Sequence, residues 1–347
     1  MGDFMKELAG AIGGNDAPTT VKHWLDTGHP LLNDALSGSY HGGFPVGRIV
    51  EMFGGSSSGK TAIATQCMIC AQRMGGVAGF FDHENSFDHH LAAQNGLNVE
   101  DKWIFKQPDT FEQSIDIAVK AAGAIRQRKL IDPEAPIVFV FDSLASMVPR
   151  SKFDKETSEY NMNDNTALAR ATSAAFPALA KFCQLNQFTA IFLNQVRTKP
   201  GVVYGDPETT PGGVAPEFYA SVRVSLSRSQ IKDKKDKKEV LGQTVKALVK
   251  KNKVHRPFER AEWDFVFRED GTGFFDPVPA VIDKLVEADV LKKGGAYIEW
   301  EGKKLHKADI VSRINDSGDR EQLYKLLPDW ELDREGNPDS KINWNEF

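Results

Sequence analysis

Cysteine is scarce: the 347 residues contain three, Cys67, Cys70 and Cys183. That leaves Cys67-x-x-Cys70 without the second pair a metal or redox centre would show. Its three-residue spacing instead sets two small apolar side chains on one helix face, a buried-packing pattern. The cluster Asp82, His83, Glu84, Asp88, His89 and His90 carries metal-ligand residue types but lacks the fixed spacing of a zinc helix. Long apolar runs are missing as well, which excludes a helical membrane span. The start Met1-Gly2-Asp3-Phe4-Met5-Lys6-Glu7 has no secretory pattern, and Lys6 stands where acylation needs Ser or Thr. A positive excess is absent: the net charge is −5, so any hold on nucleic acid must come from local patches. The expectation is an intracellular, cytoplasmic protein with no membrane partner. What is present is ordinary for a globular chain, 41% hydrophobic and 26% charged, long enough for one large domain and a smaller one.

The most informative stretch is Gly54-Gly55-Ser56-Ser57-Ser58-Gly59-Lys60-Thr61, a complete G-x-x-x-x-G-K-[ST] phosphate loop. It lies between the apolar run 48–53 and a helix-forming stretch, 61–74. In that context glycines let backbone N–H groups wrap a polyphosphate, and the helix N-terminus adds partial positive charge. Lys60 is then expected to reach the β- and γ-phosphates of a nucleoside triphosphate, and the Thr61 hydroxyl to ligate Mg2+.

From Thr27 to Phe275 apolar strands alternate with helices, which predicts an α/β fold with a mostly parallel sheet covered on both faces. The clearest strands are 49–53, 77–82, 137–142 and 189–194; helices are expected over 61–74, 110–128 and 165–185. Three extended runs (221–227, 244–251 and 261–267) read as hairpin-linked strands extending the sheet. Residues 1–24 form a short amphipathic arm, which packs either on its own core or on a neighbouring subunit. The core spans 25–276. Residues 277–330 read as a small lobe of helices around a hairpin, and 331–347 as a mobile acidic tail.

Further candidates follow from the sheet. Ile137 to Phe141 is a buried strand ending in Asp142, suited to hold the magnesium shell through a water. Glu84 follows a strand expected next door to the phosphate loop, where a carboxylate can orient the attacking water; a plain solvated acid is the alternative. Asn194-Gln195 ends another strand and opens the Gly-, Pro- and Thr-rich segment 196–216, whose mixture of cations, aromatics and glycines suits gripping a nucleic-acid backbone. Gln195 at its root could sense the γ-phosphate and switch that segment. Arg228, Lys232, Lys234, Lys235, Lys237 and Lys238 form a basic run broken by acids, taken alone a solvated hairpin tip. Lys250-Lys251-Asn252-Lys253 ends a strand where cations could meet phosphates of a partner subunit.

Together these residues resemble the RecA family of DNA strand-exchange recombinases. The likeness runs through Asp26-Thr27-Gly28, Leu36 to Thr61, Phe81-Asp82-x-Glu84, Phe141-Asp142-Ser143, Asn194 to Arg197, Gly205 to Gly213, Phe218 to Arg223, and Lys251-Asn252-Lys253 with Pro257-Phe258. It implies a RecA-type core and helical filaments with ATP between subunits. Glu84 is then the water activator and Gln195 the coupler to DNA. Lys251 and Lys253 are the cations reaching ATP across the interface, and Asp88 is an adenine-contacting acid. Segment 161–171 with Arg170 resembles a first DNA loop, and segment 196–213, with Arg197, Lys199, Gly212 and Gly213, a second. The 228–238 hairpin would lie near a secondary strand site.

The sequence departs from the family pattern at Leu91, where a tyrosine would stack on adenine, at Pro177 for a DNA-site arginine, and at Glu217 for an interface lysine. Such divergence suggests a bacteriophage-encoded relative. The expected activity is DNA-stimulated ATP hydrolysis with pairing and strand exchange between single-stranded DNA and homologous duplex DNA, with single-strand-binding or loader proteins as further partners. The alternatives are a RecA-fold helicase, a non-catalytic filament mediator switched by ATP, and a metabolic kinase.

Overall fold

The structure is a computed structural model and describes residues 20–156, 166–198, 208–233, 238–267, 273–328 and 330. The expected arm helix, residues 161–165 of the first DNA loop, Lys199, Lys234, Lys235, Lys237 and the acidic tail lie outside the described residues.

One nine-stranded sheet organises the core. Its strands are β1 (Ile49–Gly54), β2 (Val77–Asp82), β3 (Trp103–Lys106), β4 (Ile137–Asp142), β5 (Phe188–Gln195), β6 (Val222–Lys232), β7 (Val240–Asn252), β8 (Arg260–Phe267) and β9 (Gly273–Asp276). They lie in the order β9-β8-β7-β6-β1-β5-β4-β2-β3. The six from β6 to β3 run parallel. The β6-β7 and β7-β8 pairs are antiparallel, as expected for the three hairpin-linked runs, and β9 adds a further antiparallel strand beside β8.

Burial explains this arrangement. Every residue of β1, β2 and β4 is buried, the near-continuous apolar pattern of strands covered on both faces. Alternation along each strand then sorts side chains to two cores. Met52, Phe80, Val138, Val140, Ile191 and Leu193 pack with Ile63, Cys67 and Met68 of helix α2 (Lys60–Arg73), the next long helix after α1 (Pro30–Ser37). On the other face Phe81, Phe139, Phe141 and Phe192 meet Phe111, Ala118 and Ala122 of α3 (Phe111–Gln127) and Phe176 and Leu179 of α4 (Ala167–Leu185). Small residues on α3 let it approach the phenylalanine-rich sheet closely. All three cysteines are free and buried, and burial pushes the Cys70 thiol up to about 12.

A third core belongs to the C-terminal segment. Helices α5 (Val278–Glu287), α6 (Lys307–Ser317) and α7 (Arg320–Tyr324) surround the hairpin Tyr297–Trp300 and Lys303–His306. Tyr40, from the early part of the chain, is buried in this cluster.

The observed order corrects one expectation. The strand preceding Glu84, β2, is not beside the phosphate-loop strand β1; β5 and β4 stand between them. Short alternating β/α stretches fix which strands exist, whereas order depends on where each crossover lands.

Candidate functional site

The phosphate loop leaves β1 at Gly54 and enters α2 at Lys60. Gly54 is required by crowding, since a Cβ there would lie 2.2 Å from the Leu226 carbonyl oxygen. Gly59 is required by its backbone, with φ at +87° on the residue before the helix. The Lys60 ammonium donates to the carbonyls of Gly54 (3.1 Å) and Gly55 (2.8 Å) and to the Ser58 hydroxyl (3.4 Å). Burial lowers its pKa, opposed by the carboxylates of Asp142 and Glu84. A cation resting on loop carbonyls, with two acids in its field, fits a site built for phosphates and a divalent ion.

Thr61 and Asp142, the two residues expected to hold magnesium, meet directly: the Thr61 hydroxyl donates to Asp142 Oδ2 at 3.1 Å. Asp142 is buried, which pushes its carboxyl up to about 6, with the Glu84 charge adding to the rise and the Thr61 bond opposing it. Such a carboxyl gains most from a nearby cation.

Glu84 reaches this cluster although its strand is remote from β1. The buried Asp82 carboxylate accepts from the backbone N–H of Glu84 (3.1 Å), Ser86 (3.0 Å) and Phe87 (3.2 Å), turning the chain back over the end of β4. There Glu84 Oε1 accepts from the hydroxyls of Ser143 and Ser146, the latter at 3.1 Å, and from the Gln195 amide at 3.1 Å. Burial would raise the Glu84 pKa, but those hydrogen bonds and the Lys60 charge outweigh it and leave the carboxylate below its ordinary value. Ser146 was not singled out from sequence, and Asp82 and Ser143 stood there only within a cluster and family motifs, without these contacts. The signal for Asp82 was a carboxylate two residues ahead of the loop it caps.

Gln195 itself is tied to the root of the 196–213 segment. Its N–H donates to Asn194 Oδ1 (2.9 Å), while the Asn194 amide donates to Glu51 Oε1 (2.8 Å) and to the Pro211 carbonyl (2.9 Å). Glu51, 1% exposed in the middle of β1, also accepts from Arg223 Nε at 2.6 Å. This buried network was not read from sequence, although a lone glutamate in an apolar strand marks it.

The DNA candidates are partly gathered. Arg170 lies exposed on α4, two residues before Thr172, whose hydroxyl donates to the Gly212 carbonyl at 2.7 Å; Gly213 follows directly. Arg197 and Thr198 pair with Thr209 and Glu208, closing the base of the segment.

Four further candidates, Lys251, Lys253, Asp88 and Arg228, make contacts within this chain that the sequence did not show. Lys251 and Lys253 do not approach the phosphate loop of their own chain. Lys251 is registered beside Arg223 and through it Glu51, three residues before the loop begins. Lys251 Nζ donates to the carbonyls of Glu217 (2.5 Å) and Phe218 (2.7 Å), and Lys253 Nζ to Phe218 (3.2 Å). Burial, with Lys253 and Arg223 nearby, lowers Lys251 to about 8. Asp88 caps the short helix His89–Gln94 by accepting from the Leu91 N–H at 2.9 Å. Arg228, grouped with the solvated basic run, instead donates to the Ser56 carbonyl of the phosphate loop at 3.2 Å, because β6 continues past the end of β1.

A cleft of about 630 Å³ opens beside Thr61 and Ala62, with Asp88 and Leu91 on one wall and Phe265, Phe267 and Phe275 on the other. The aromatic wall escaped the sequence reading because β8 and β9 only meet α2 through the fold.

A glycine-rich turn that hands a buried strand to a helix, with carboxylates from neighbouring strand ends converging on its lysine, places the chain among the P-loop α/β proteins. Within that class the sequence settles the family. Residues 5–272 match the RecA N-terminal domain, so the chain belongs to the RecA family and is a RecA-family recombinase. It is similar to Protein RecA of Bacteroides thetaiotaomicron, 40% identical over 292 residues, which cover 84% of this chain and 81% of the relative. Protein RecA of Porphyromonas gingivalis is 39% identical over 266 residues, 76% of this chain and 72% of the relative. Among solved structures, the crystal structure of the RadB recombinase shares 20% identity at a TM-score of 0.48, over 71% of this chain and 97% of that one. These sequence relatives are bacterial and lend the bacteriophage reading no support. Among the described residues no helix is long and apolar enough to cross a membrane.

Proposed function

We propose that this chain is an ATP-dependent homologous recombinase. It forms filaments on single-stranded DNA, pairs that strand with homologous duplex DNA and hydrolyses ATP in a DNA-stimulated reaction. The observation that carries this reading is the 3.1 Å bond between Gln195 and Glu84. It joins the acid best placed to orient water to the residue at the root of the segment read as DNA-binding, so that movement of one is felt by the other.

Lys60 and the N–H groups of 54–61 would hold the triphosphate, and Thr61 and Asp142 the Mg2+ shell. When bound, Mg2+ neutralises phosphate charge and polarises the phosphoryl oxygens. Glu84, held ionised by its three donors, accepts the proton of the attacking water. The cleft beside Asp88 and Leu91 seats the base, with Phe265, Phe267 and Phe275 supplying apolar area that Leu91 alone does not. Lys251 and Lys253 act on the phosphates of an adjoining copy, exchanging their helix-end carbonyls for a stronger anion. Arg170, Arg197, Lys199, Gly212 and Gly213 form the DNA-facing set, so binding is salt-sensitive and nearly sequence-independent.

The test is ATP turnover with and without homopolymeric single-stranded DNA, with the same samples imaged by electron microscopy. Stimulated turnover and polymers on DNA are expected. Flat turnover with no polymer would overturn the reading.

A further inference from the structure

Four consecutive carbonyls of the phosphate loop are engaged by side chains. Lys60 takes those of Gly54 and Gly55. The next two are held from outside the loop. Arg228 Nε donates to Ser56 O at 3.2 Å, and Gln243 Nε2 donates to Ser57 O at 3.1 Å. Arg228 Nη1 also donates to Gln243 Oε1 at 3.1 Å, so the two side chains form one brace. Both come from the antiparallel pair β6-β7, which runs on past the last β6-β1 contact at Leu226 and Gly54. Gln243 is buried, 9% exposed.

The geometry has a consequence for the opposite side of the loop. A trans peptide points its C=O and the following N–H in opposite directions. Fixing the carbonyls of Ser56 and Ser57 toward the brace therefore fixes the N–H groups of Ser57 and Ser58 away from it, on the side where an anion is cradled. Ser57 also holds φ at +56° without being glycine. That conformation is unfavourable for a residue other than glycine and persists only where surroundings impose it. When Lys60 turns from its carbonyls to a phosphate, Arg228 and Gln243 are the ties that remain on Ser56 and Ser57.

We propose that Arg228 and Gln243 are positioning residues for nucleotide binding: from the β6-β7 ribbon they hold the phosphate loop with its N–H donors already aimed. The proposal rests on reading the loop as an ATP cradle. It also makes ATP affinity a property of the ribbon, which carries Lys232 and Lys238 at its far end.

The experiment is titration of the full-length chain with a fluorescent ATP analogue in Mg2+, with KM and kcat for ATP and thermal unfolding without nucleotide measured alongside. Gln243→Leu is expected to weaken binding about tenfold, equivalent to about 1.4 kcal/mol. KM should rise with it, kcat should change far less, and the nucleotide-free melting temperature should stay near that of the unmutated chain. Arg228→Ala should weaken binding by a smaller factor, and Arg228→Lys should recover most of that loss. Should Gln243→Leu not fold, Gln243→Glu decides, since it keeps the acceptor for Arg228 but offers Ser57 O no donor; it should also bind weakly. Unchanged affinity in the folded variants, or an affinity loss that only tracks the melting temperature, overturns the proposal and leaves the ATP reading intact. An unmutated chain that does not bind the analogue overturns both.

Discussion

Removing Arg223 exposes how the root of the 196–213 segment is held. Glu51 is 1% exposed, and its two oxygens have one strong partner each, Arg223 Nε at 2.6 Å and the Asn194 amide at 2.8 Å. Arg223→Met keeps the stem's apolar packing but leaves Oε2 buried with no cation. Stranding a buried charge in this way costs about 3–5 kcal/mol. The reverse change is milder. After Glu51→Leu, Arg223 still has Glu217 at 3.4 Å and the Thr210 hydroxyl at 3.3 Å near the surface, so the loss is about 2 kcal/mol. With both residues apolar no buried ion remains, and the double variant should be destabilised by no more than Glu51→Leu alone. The coupling energy of the cycle is therefore at least about 3 kcal/mol, far outside the ~0.5 kcal/mol expected of independent sites. Urea denaturation of the four full-length chains, followed by circular dichroism, measures it. Single losses that simply add in the double variant would refute the account of Glu51 as a buried ion satisfied by Arg223.

Glu84→Gln keeps the size and acceptor oxygen of the side chain but cannot take a proton from water; DNA-stimulated ATP turnover should fall by about 10²–10⁴-fold with ATP-analogue binding retained, and unchanged turnover would remove Glu84 from its role. Asp26 gives a pH prediction. Burial pushes its carboxyl from 3.8 up to about 6, and an acid raised on folding costs stability as pH climbs through that window. The full cost above pH 6 is about 3 kcal/mol. Asp26→Asn preserves an acceptor for the Gly28 N–H and should flatten the stability profile between pH 4 and 6, with higher stability at pH 8; an unaltered profile in pH-dependent denaturation would contradict this.

The parts legible in the sequence were those governed by local pattern. Continuous buried runs marked Val77–Asp82 and Ile137–Asp142, and the glycine-lysine spacing marked the loop before Lys60. Placement across the sheet was not legible. Glu84 arrives from a strand three places away because Asp82 bends its loop over β4, and no spacing along the chain encodes that crossing. Arg228 looked like one more cation in a basic run; only strand register, which carries β6 beyond Gly54, puts it on the phosphate loop. Phe265, Phe267 and Phe275 read as ordinary strand aromatics until the antiparallel edge folds them against the start of α2.

The seating of Tyr40 in the C-terminal core means that the two ends of the described chain are stitched together. Its ring lies 5.9 Å from that of Trp330, and His41 lies 4.2 Å from the same indole. Cutting after Asp276 would therefore not release a clean module. It would strip the cover from the turn leading into the first sheet strand and leave a greasy seam, so a shortened chain should clump where the whole one stays dispersed.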